Sequence, residues 1–207
     1  MPAELLTAKG RQTRQAIEQA ARKLFAERGF HGTTLADITS AAGKSPAVFY
    51  RYFADKEDLL AALAESFLHG VVTPSGLSLH LPVDGPDCTD DDAFFTSVVT
   101  GYWNMFKQNI GIMIAVAQLA ATQQRFAVVQ NEFRRFGMDI VAASVSRAQQ
   151  QGYGTELNPQ HTAAAIALLF ENFTTVFVGP SGLGLAISDE DAIVTLSTIW
   201  KKTLYGE

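Results

Sequence analysis

Apolar residues recur at helical spacing almost from end to end of this chain. Ile17, Ala20, Ala21, Leu24 and Phe25 fall at i, i+3, i+4, i+7 and i+8, one stripe of an amphipathic helix. Gly29 follows as a stop signal. Thr34 and Asp37 have capping-box spacing, with Asp in place of the usual Glu. They open a short helix, about Thr34–Ala42, that carries Leu35, Ile38 and Ala42 inward and stops at Gly43. Ser45 can cap the next helix and Pro46 suits its first turn. Asp55 can cap a fourth, whose stripe is Leu59, Leu60, Leu63 and Phe67.

From Val71 to Asp92 the pattern stops. Pro74, Gly76, Pro82, Gly85 and Pro86 alternate with acids, which reads as a long exposed connection. Five longer helices are expected beyond it, at about Asp91–Gln108, Ile110–Ala121, Phe126–Gln151, Pro159–Val178 and Asp189–Leu204. A glycine-rich segment, Gly179–Gly184, separates the last two. Alternation of the kind a sheet needs is not sustained anywhere. The expected fold is all-α with about nine helices: a three-helix domain at 1–55 and a helical domain at 56–207.

Composition sharpens this picture. Hydrophobic residues make up 47% of 207, so the chain buries a core and has apolar surface left for a partner or a ligand. The uninterrupted apolar runs are about eight residues, short of the roughly 20 that a bilayer needs. One cysteine, Cys88, excludes an internal disulfide framework, and a reducing cytoplasmic setting is expected. The net charge of −5 hides an asymmetry. Lys9 to Lys56 holds nine Lys/Arg against four Asp/Glu, whereas Val71 onward holds seven against thirteen. A basic first quarter on an acidic body assigns anion binding to the first part.

Two short helices across a tight Gly43-Lys44 turn, behind a longer helix, match helix-turn-helix geometry. In the second, about Ser45–Phe53, Phe49 and Phe53 are four apart and face inward together. Ala47, Tyr50 and Arg51 share another face. A small residue there lets backbone approach a DNA groove, and Tyr hydroxyls and an Arg fork suit phosphates or base edges. Lys56 follows the cap Asp55, where the helix dipole disfavours a cation. An external anion such as a DNA phosphate would account for it, as would a freely solvated lysine at small cost. Tyr50→Ala or Lys56→Ala is therefore expected to weaken DNA binding without lowering the melting temperature much.

These segments together resemble the tetracycline-repressor (TetR) family of bacterial transcriptional regulators. The resemblance rests on Ala20-Ala21-Arg22-Lys23-Leu24-Phe25-Ala26-Glu27-Arg28-Gly29-Phe30, Thr33-Thr34-Leu35-Ala36-Asp37-Ile38 and Ala41-Ala42-Gly43-Lys44-Ser45. It continues in Phe49-Tyr50-Arg51-Tyr52-Phe53 and Asp55-Lys56-Glu57-Asp58-Leu59-Leu60, and covers about a quarter of the chain. Ala47 departs mildly, because the family often has glycine there. The resemblance implies that Thr33, Thr34, Ser45, Pro46, Ala47, Tyr50, Arg51, Tyr52 and Lys56 occupy DNA-contacting positions. It also leaves Val48 for a thymine methyl and Lys44 for a phosphate.

In the body, Phe95, Val99, Trp103, Phe106 and Ile110 form one stripe, and Phe126, Val129, Phe133, Phe136 and Ile140 a second. Ile166, Phe170, Phe173 and Phe177 form a third. Three Phe-rich stripes are hard to pack without voids. The resemblance implies a small effector inside these helices. An aromatic, mostly uncharged lining implies a hydrophobic one, with Trp103, Phe106, Met113, Phe133, Phe170, Asn172, Phe173 and Phe177 as candidate contacts. Asn104, Gln118, Asn172, Thr174 and Thr175 are candidates for its orienting hydrogen bonds. The resemblance further implies a homodimer through the last two helices, with Ala163, Ala164, Ala165 and Ala167 allowing close approach and Ile193, Leu196, Ile199 and Trp200 giving the final helix an apolar side, which could instead cover the protein's own core. Such a pair would set two reading helices roughly 34–36 Å apart on a palindromic operator.

Other chemistries fit poorly. Gly43-Lys44-Ser45 lacks the earlier glycine of a phosphate-binding loop, since Ile38 stands there. The acids Asp87 to Asp92 do not follow a calcium loop. His31, His69, His80 and His161 have no metal-ligand spacing, and no cofactor or catalytic signature is present. The alternative is a helical lipid-binding or carrier protein that binds no DNA.

Overall fold

The computed structural model describes residues 7–72, 92–179 and 184–206. They hold eight α-helices and no strand. The proposed connection after Val72, with Cys88, His80 and its acids, lies outside the described residues, as do 180–183 of the glycine-rich segment.

The chain forms two compact units. The first comprises Met1–His69 and Asn109–Gln130, the second Gly70–Gln108 and Asn131–Glu207. In the first, α1 (Ala8–Arg28) is capped by Thr7, whose hydroxyl accepts from the Gly10 amide, and ends at Gly29 with φ 71°. Ile17, Ala21, Leu24 and Phe25 are buried along it, the stripe expected from their spacing. The capping box of α2 (Leu35–Ala41) is complete. The Asp37 amide donates to the Thr34 hydroxyl at 3.1 Å, and the Thr34 amide donates to the Asp37 carboxylate at 2.8 Å. α4 (Lys56–Val72) starts at Asp55, whose carboxylate accepts from the Asp58 amide at 2.6 Å.

α5 (Asp92–Ala120) is one helix, where the sequence predicts two with a break near Asn109. Gly111 marks where it meets α1. A methyl group there would lie 2.5 Å from the Ala26 nitrogen and the Phe25 carbonyl carbon, so this glycine brings α5 against the α1 backbone. Arg22 of α1 donates to Asn109 at 3.0 Å beside it. α6 (Gln124–Gln150) follows.

The second unit holds α7 (Pro159–Val178) and α8 (Asp189–Tyr205) with the earlier part of α5 and the later part of α6. Its core is aromatic. Phe95 meets Trp200 edge-on at 5.1 Å, Phe170 meets Trp200 at 6.0 Å, and Tyr102 packs on Phe106 and Phe170 at 5.8 and 5.7 Å. Polar ties fix the helices around it. The Trp200 indole donates to Ser144 at 3.1 Å and the Trp103 indole to Asp189 at 3.0 Å. Arg134 donates twice to Glu171, at 2.7 and 3.0 Å.

α7 is more apolar over its whole length than its short uninterrupted runs indicate. Its 20 residues are long and apolar enough to cross a membrane by length and composition alone. It nevertheless packs Ala163, Ile166, Phe170 and Thr174 into the core and carries the Glu171 ion pair. The face proposed for a partner is revised. Leu196 and Trp200 are buried in their own unit, and the exposed apolar side chains of α7 and α8 are Leu168, Leu169, Val194 and Ile199.

Candidate nucleic-acid interface

The turn between α2 and α3 (Pro46–Phe49) is built by Gly43. With φ 61° it lets the Lys44 amide reach back to the Thr39 carbonyl at 2.9 Å, a tight helix stop that a side chain at this φ would strain. α3 is shorter than its expected span to Phe53. After Phe49 the hydrogen bonds tighten: the Arg51 amide donates to Val48 and the Tyr52 amide to Phe49, while the Phe53 amide still reaches Phe49. The segment keeps a helical course with one keel. Phe49 and Phe53 are fully inside, their rings 5.6 Å apart.

That keel turns the other side chains outward. Ser45, Pro46, Ala47, Tyr50 and Arg51 are exposed, while Val48, Tyr52 and Lys44 are half-buried. Tyr50 is 60% exposed, and its ring touches Phe49 edge-on at 5.7 Å. Ser45 occupies the N-cap of α3 without spending its hydroxyl on the helix, which leaves that group for an outside acceptor. Thr34 is exposed beside it and is held by Asp37. Its hydroxyl and the Arg28 pairing keep the Asp37 carboxyl below the usual carboxylate range.

Two expected contacts have other partners. Thr33 is fully buried; its hydroxyl donates to Gly29 at 2.8 Å and lies 3.3 Å from the Leu24 carbonyl. A buried, satisfied hydroxyl does not reach a duplex, so Thr33 secures the end of α1 instead. Lys56 also turns inward. Its ammonium donates to the Phe30 carbonyl at 2.7 Å and the Thr33 carbonyl at 2.9 Å, and sits 4.2 Å from the Phe30 ring centre. Burial pushes its pKa below the usual lysine range, with Glu57 acting in the other direction. The cation at a helix start thus has internal compensation, and an external phosphate is not needed to explain it.

Lys56 therefore ties α4 to the loop that leads into α2. Lys56→Met is expected to destabilise the chain by roughly 2 kcal/mol, because two carbonyls lose a charged donor. A thermal melt checks this. An unchanged melting temperature would restore the phosphate role.

In the second unit, the candidate effector contacts separate. Trp103, Phe106 and Phe170 are buried, and Phe133, Phe173 and Phe177 are half-buried. Phe173 lies 4.6 Å from Phe177 and 6.3 Å from Trp103. Asn172 is exposed, as are Asn104 and Gln118, so these amides point away from any interior ligand. Met113 belongs to the first unit. The Thr175 hydroxyl is spent on the Glu171 carbonyl at 2.7 Å. Thr174 is fully buried, and the residue that sequence reasoning missed is Tyr102 beside it. Among the described residues no cluster suits a metal ion.

Residues 17–63 match the family model described as bacterial regulatory proteins, tetR family. The chain is 26% identical over 192 residues to the HTH-type transcriptional regulator EthR of Mycobacterium tuberculosis, covering 93% of this chain and 87% of that one. It is 40% identical over 68 residues to the transcriptional repressor AcnR of Corynebacterium glutamicum, covering 31% and 36%. A TetR-family regulator from Syntrophomonas wolfei has the same fold, with a TM-score of 0.65 at 22% identity over 92% of this chain and 93% of that one. The exposed face over a buried aromatic keel lies within the segment that matches the tetR family model, and the chain as a whole is similar to helix-turn-helix transcriptional regulators of that family.

Proposed function

We propose that this regulator is a ligand-responsive repressor that binds a palindromic operator as a homodimer and changes its DNA affinity when a hydrophobic small molecule enters the second unit. The observation that carries the DNA reading is the outward set Ser45, Pro46, Ala47, Tyr50 and Arg51 over the buried Phe49 and Phe53. Tyr50 and Arg51 read base edges and phosphates, Ala47 admits the groove wall, and Ser45, Thr34 and Lys44 hold the backbone. The repressor named among the relatives supports the sign of regulation.

Dimerisation uses the outward side of α7 and α8. Leu168, Leu169, Val194 and Ile199 are its exposed apolar side chains, and a groove lined by His161, Ala165, Leu169, Ile199 and Thr203 runs along it. Two such faces would pair as a four-helix bundle. The effector acts by differential affinity: a molecule that fits one arrangement of the second unit better shifts the population toward it. A ligand indifferent to both would release nothing.

Fluorescence anisotropy of the full chain on genomic DNA fragments at several salt concentrations tests this reading. Affinity is expected to fall at least tenfold between 50 and 200 mM salt, as phosphate contacts require. Absence of binding at low salt would favour a carrier without DNA activity.

A further inference from the structure

Two hydroxyls in the second unit are buried without a hydrogen-bond partner. They belong to Tyr102 of α5 and Thr174 of α7. Thr174 has no exposed surface, and the Tyr102 oxygen is sealed from solvent. They are close neighbours: burial pushes the phenol well above its ordinary pKa, and the Thr174 hydroxyl is the group that most opposes this. Yet neither completes a hydrogen bond of good geometry with the other. A buried polar group is normally paired, so a native orphan calls for an explanation. Phe and Val have nearly the same shapes and would fill these places without stranding an oxygen. Packing therefore does not account for the hydroxyls.

The surroundings say what they await. Phe106 and Phe170 flank the Tyr102 ring, and Phe170 is one turn before Thr174 on the same face of α7. The ionic group felt at the phenol is the Glu171 carboxylate, which Arg134 already clamps with two hydrogen bonds. An anion would meet repulsion from that carboxylate, and the guanidinium beside it is already engaged. A neutral oxygen, in contrast, can take both hydroxyl protons.

We propose that Tyr102 and Thr174 form the polar end of the effector site and hold the neutral oxygen of an otherwise apolar ligand, as a ketone, ester or alcohol presents it. This rests on the reading of the second unit as the ligand-binding part. It makes the effector an uncharged amphiphile, not a free carboxylic acid and not a pure hydrocarbon.

The experiment uses the intrinsic fluorescence of Trp103 and Trp200, which lie in the same aromatic cluster. The full chain is titrated with 2-octanone, 2-decanone and 2-dodecanone, and with the alkane and the carboxylate of each length. At the best-fitting length the ketone is expected to bind at least about tenfold more tightly than either counterpart. Tyr102→Phe and Thr174→Val should each weaken ketone binding about fivefold, leave alkane binding unchanged, and raise the melting temperature of the unliganded chain. The proposal is overturned if no ketone outbinds its matched alkane and acid. It is equally overturned if both variants keep full ketone affinity, or if both melt lower than the parent. Anisotropy on DNA with the same samples separates the two readings. Selective ketone binding without any effect on DNA counts against ligand-responsive repression and leaves this site standing. DNA release by ketone, alkane and acid alike counts against this site and leaves the regulator standing.

Discussion

Exchanging Tyr50 and Arg51 together for alanine is expected to lower DNA affinity at least about 100-fold and to leave the melting temperature within about 2 °C of the parent. Both side chains are exposed, and the tyrosine rests only on the edge of Phe49, so the folded state loses little. The keel that positions α3, Phe49 and Phe53, is untouched. A base-edge or phosphate interaction is worth on the order of 1–3 kcal/mol, and the double variant removes two such side chains. The salt slope of log affinity should also flatten by about one for every phosphate that the variant no longer neutralises. Anisotropy titrations at three salt concentrations with a thermal melt read all of this. A double variant that binds as the parent does would remove α3 from the interface, and a melt lowered by 5 °C or more would make these residues structural.

The contrast with Lys56 shows how far a linear sequence discloses a site. Tyr50 and Arg51 are legible because their position relative to Phe49 and Phe53 is fixed within one helical turn. Local geometry alone sends them outward. Thr33 and Thr34 are adjacent and equally polar, yet one is buried and the other exposed. Thr34 takes the extended N-cap conformation, φ −95° and ψ 161°, while Thr33 is drawn under the end of α1 by carbonyls at Leu24 and Gly29. That choice depends on where α1 ends in space. Lys56 is similar: its carbonyl partners lie 26 and 23 residues earlier. The helix dipole reveals the misfit and not its resolution, because the resolution is tertiary.

The body follows the same division. Helix stripes and the caps at Thr34, Asp55 and Ser188 are local, and they place most of the helices. Which side of α8 meets its own core is not local, since Ile193, Leu196, Ile199 and Trp200 cover an apolar side wide enough for two partners. The structure turns Leu196 and Trp200 inward and leaves Ile199 out. Tyr102 is silent in the sequence because a tyrosine beside Trp103 in a Phe-rich stripe reads as ordinary core. Its significance lies in Thr174, 72 positions later on another helix, and only their burial without partners makes them a pair.

Glycine gives the second large effect, and with it a test of sign. Gly111 and Gly137 both lie inside long helices, where alanine is intrinsically better by about 1 kcal/mol. Helix propensity taken alone favours alanine at both positions. The packing predicts opposite outcomes. At Gly111 the added methyl would stand 2.5 Å from backbone atoms of Phe25 and Ala26 and 2.7 Å from the Phe25 oxygen. Backbone of a neighbouring helix cannot rotate aside as a side chain does, so α1 and α5 must separate. Overpacking of this kind costs about 3 kcal/mol, and the propensity gain offsets only part of it. Gly111→Ala should therefore lose about 2 kcal/mol net, a fall of roughly 4–8 °C in melting temperature for a chain of this size. At Gly137 the methyl would meet only the Ala167 side chain, at an ordinary 3.9 Å. Gly137→Ala should raise the melting temperature by roughly 2–4 °C. Paired thermal melts decide the matter. If both variants are stabilised, the packing of α1 on α5 does not depend on close approach at Gly111. If both are destabilised, the packing of α6 on α7 at Ala167 is tighter than the 3.9 Å spacing indicates.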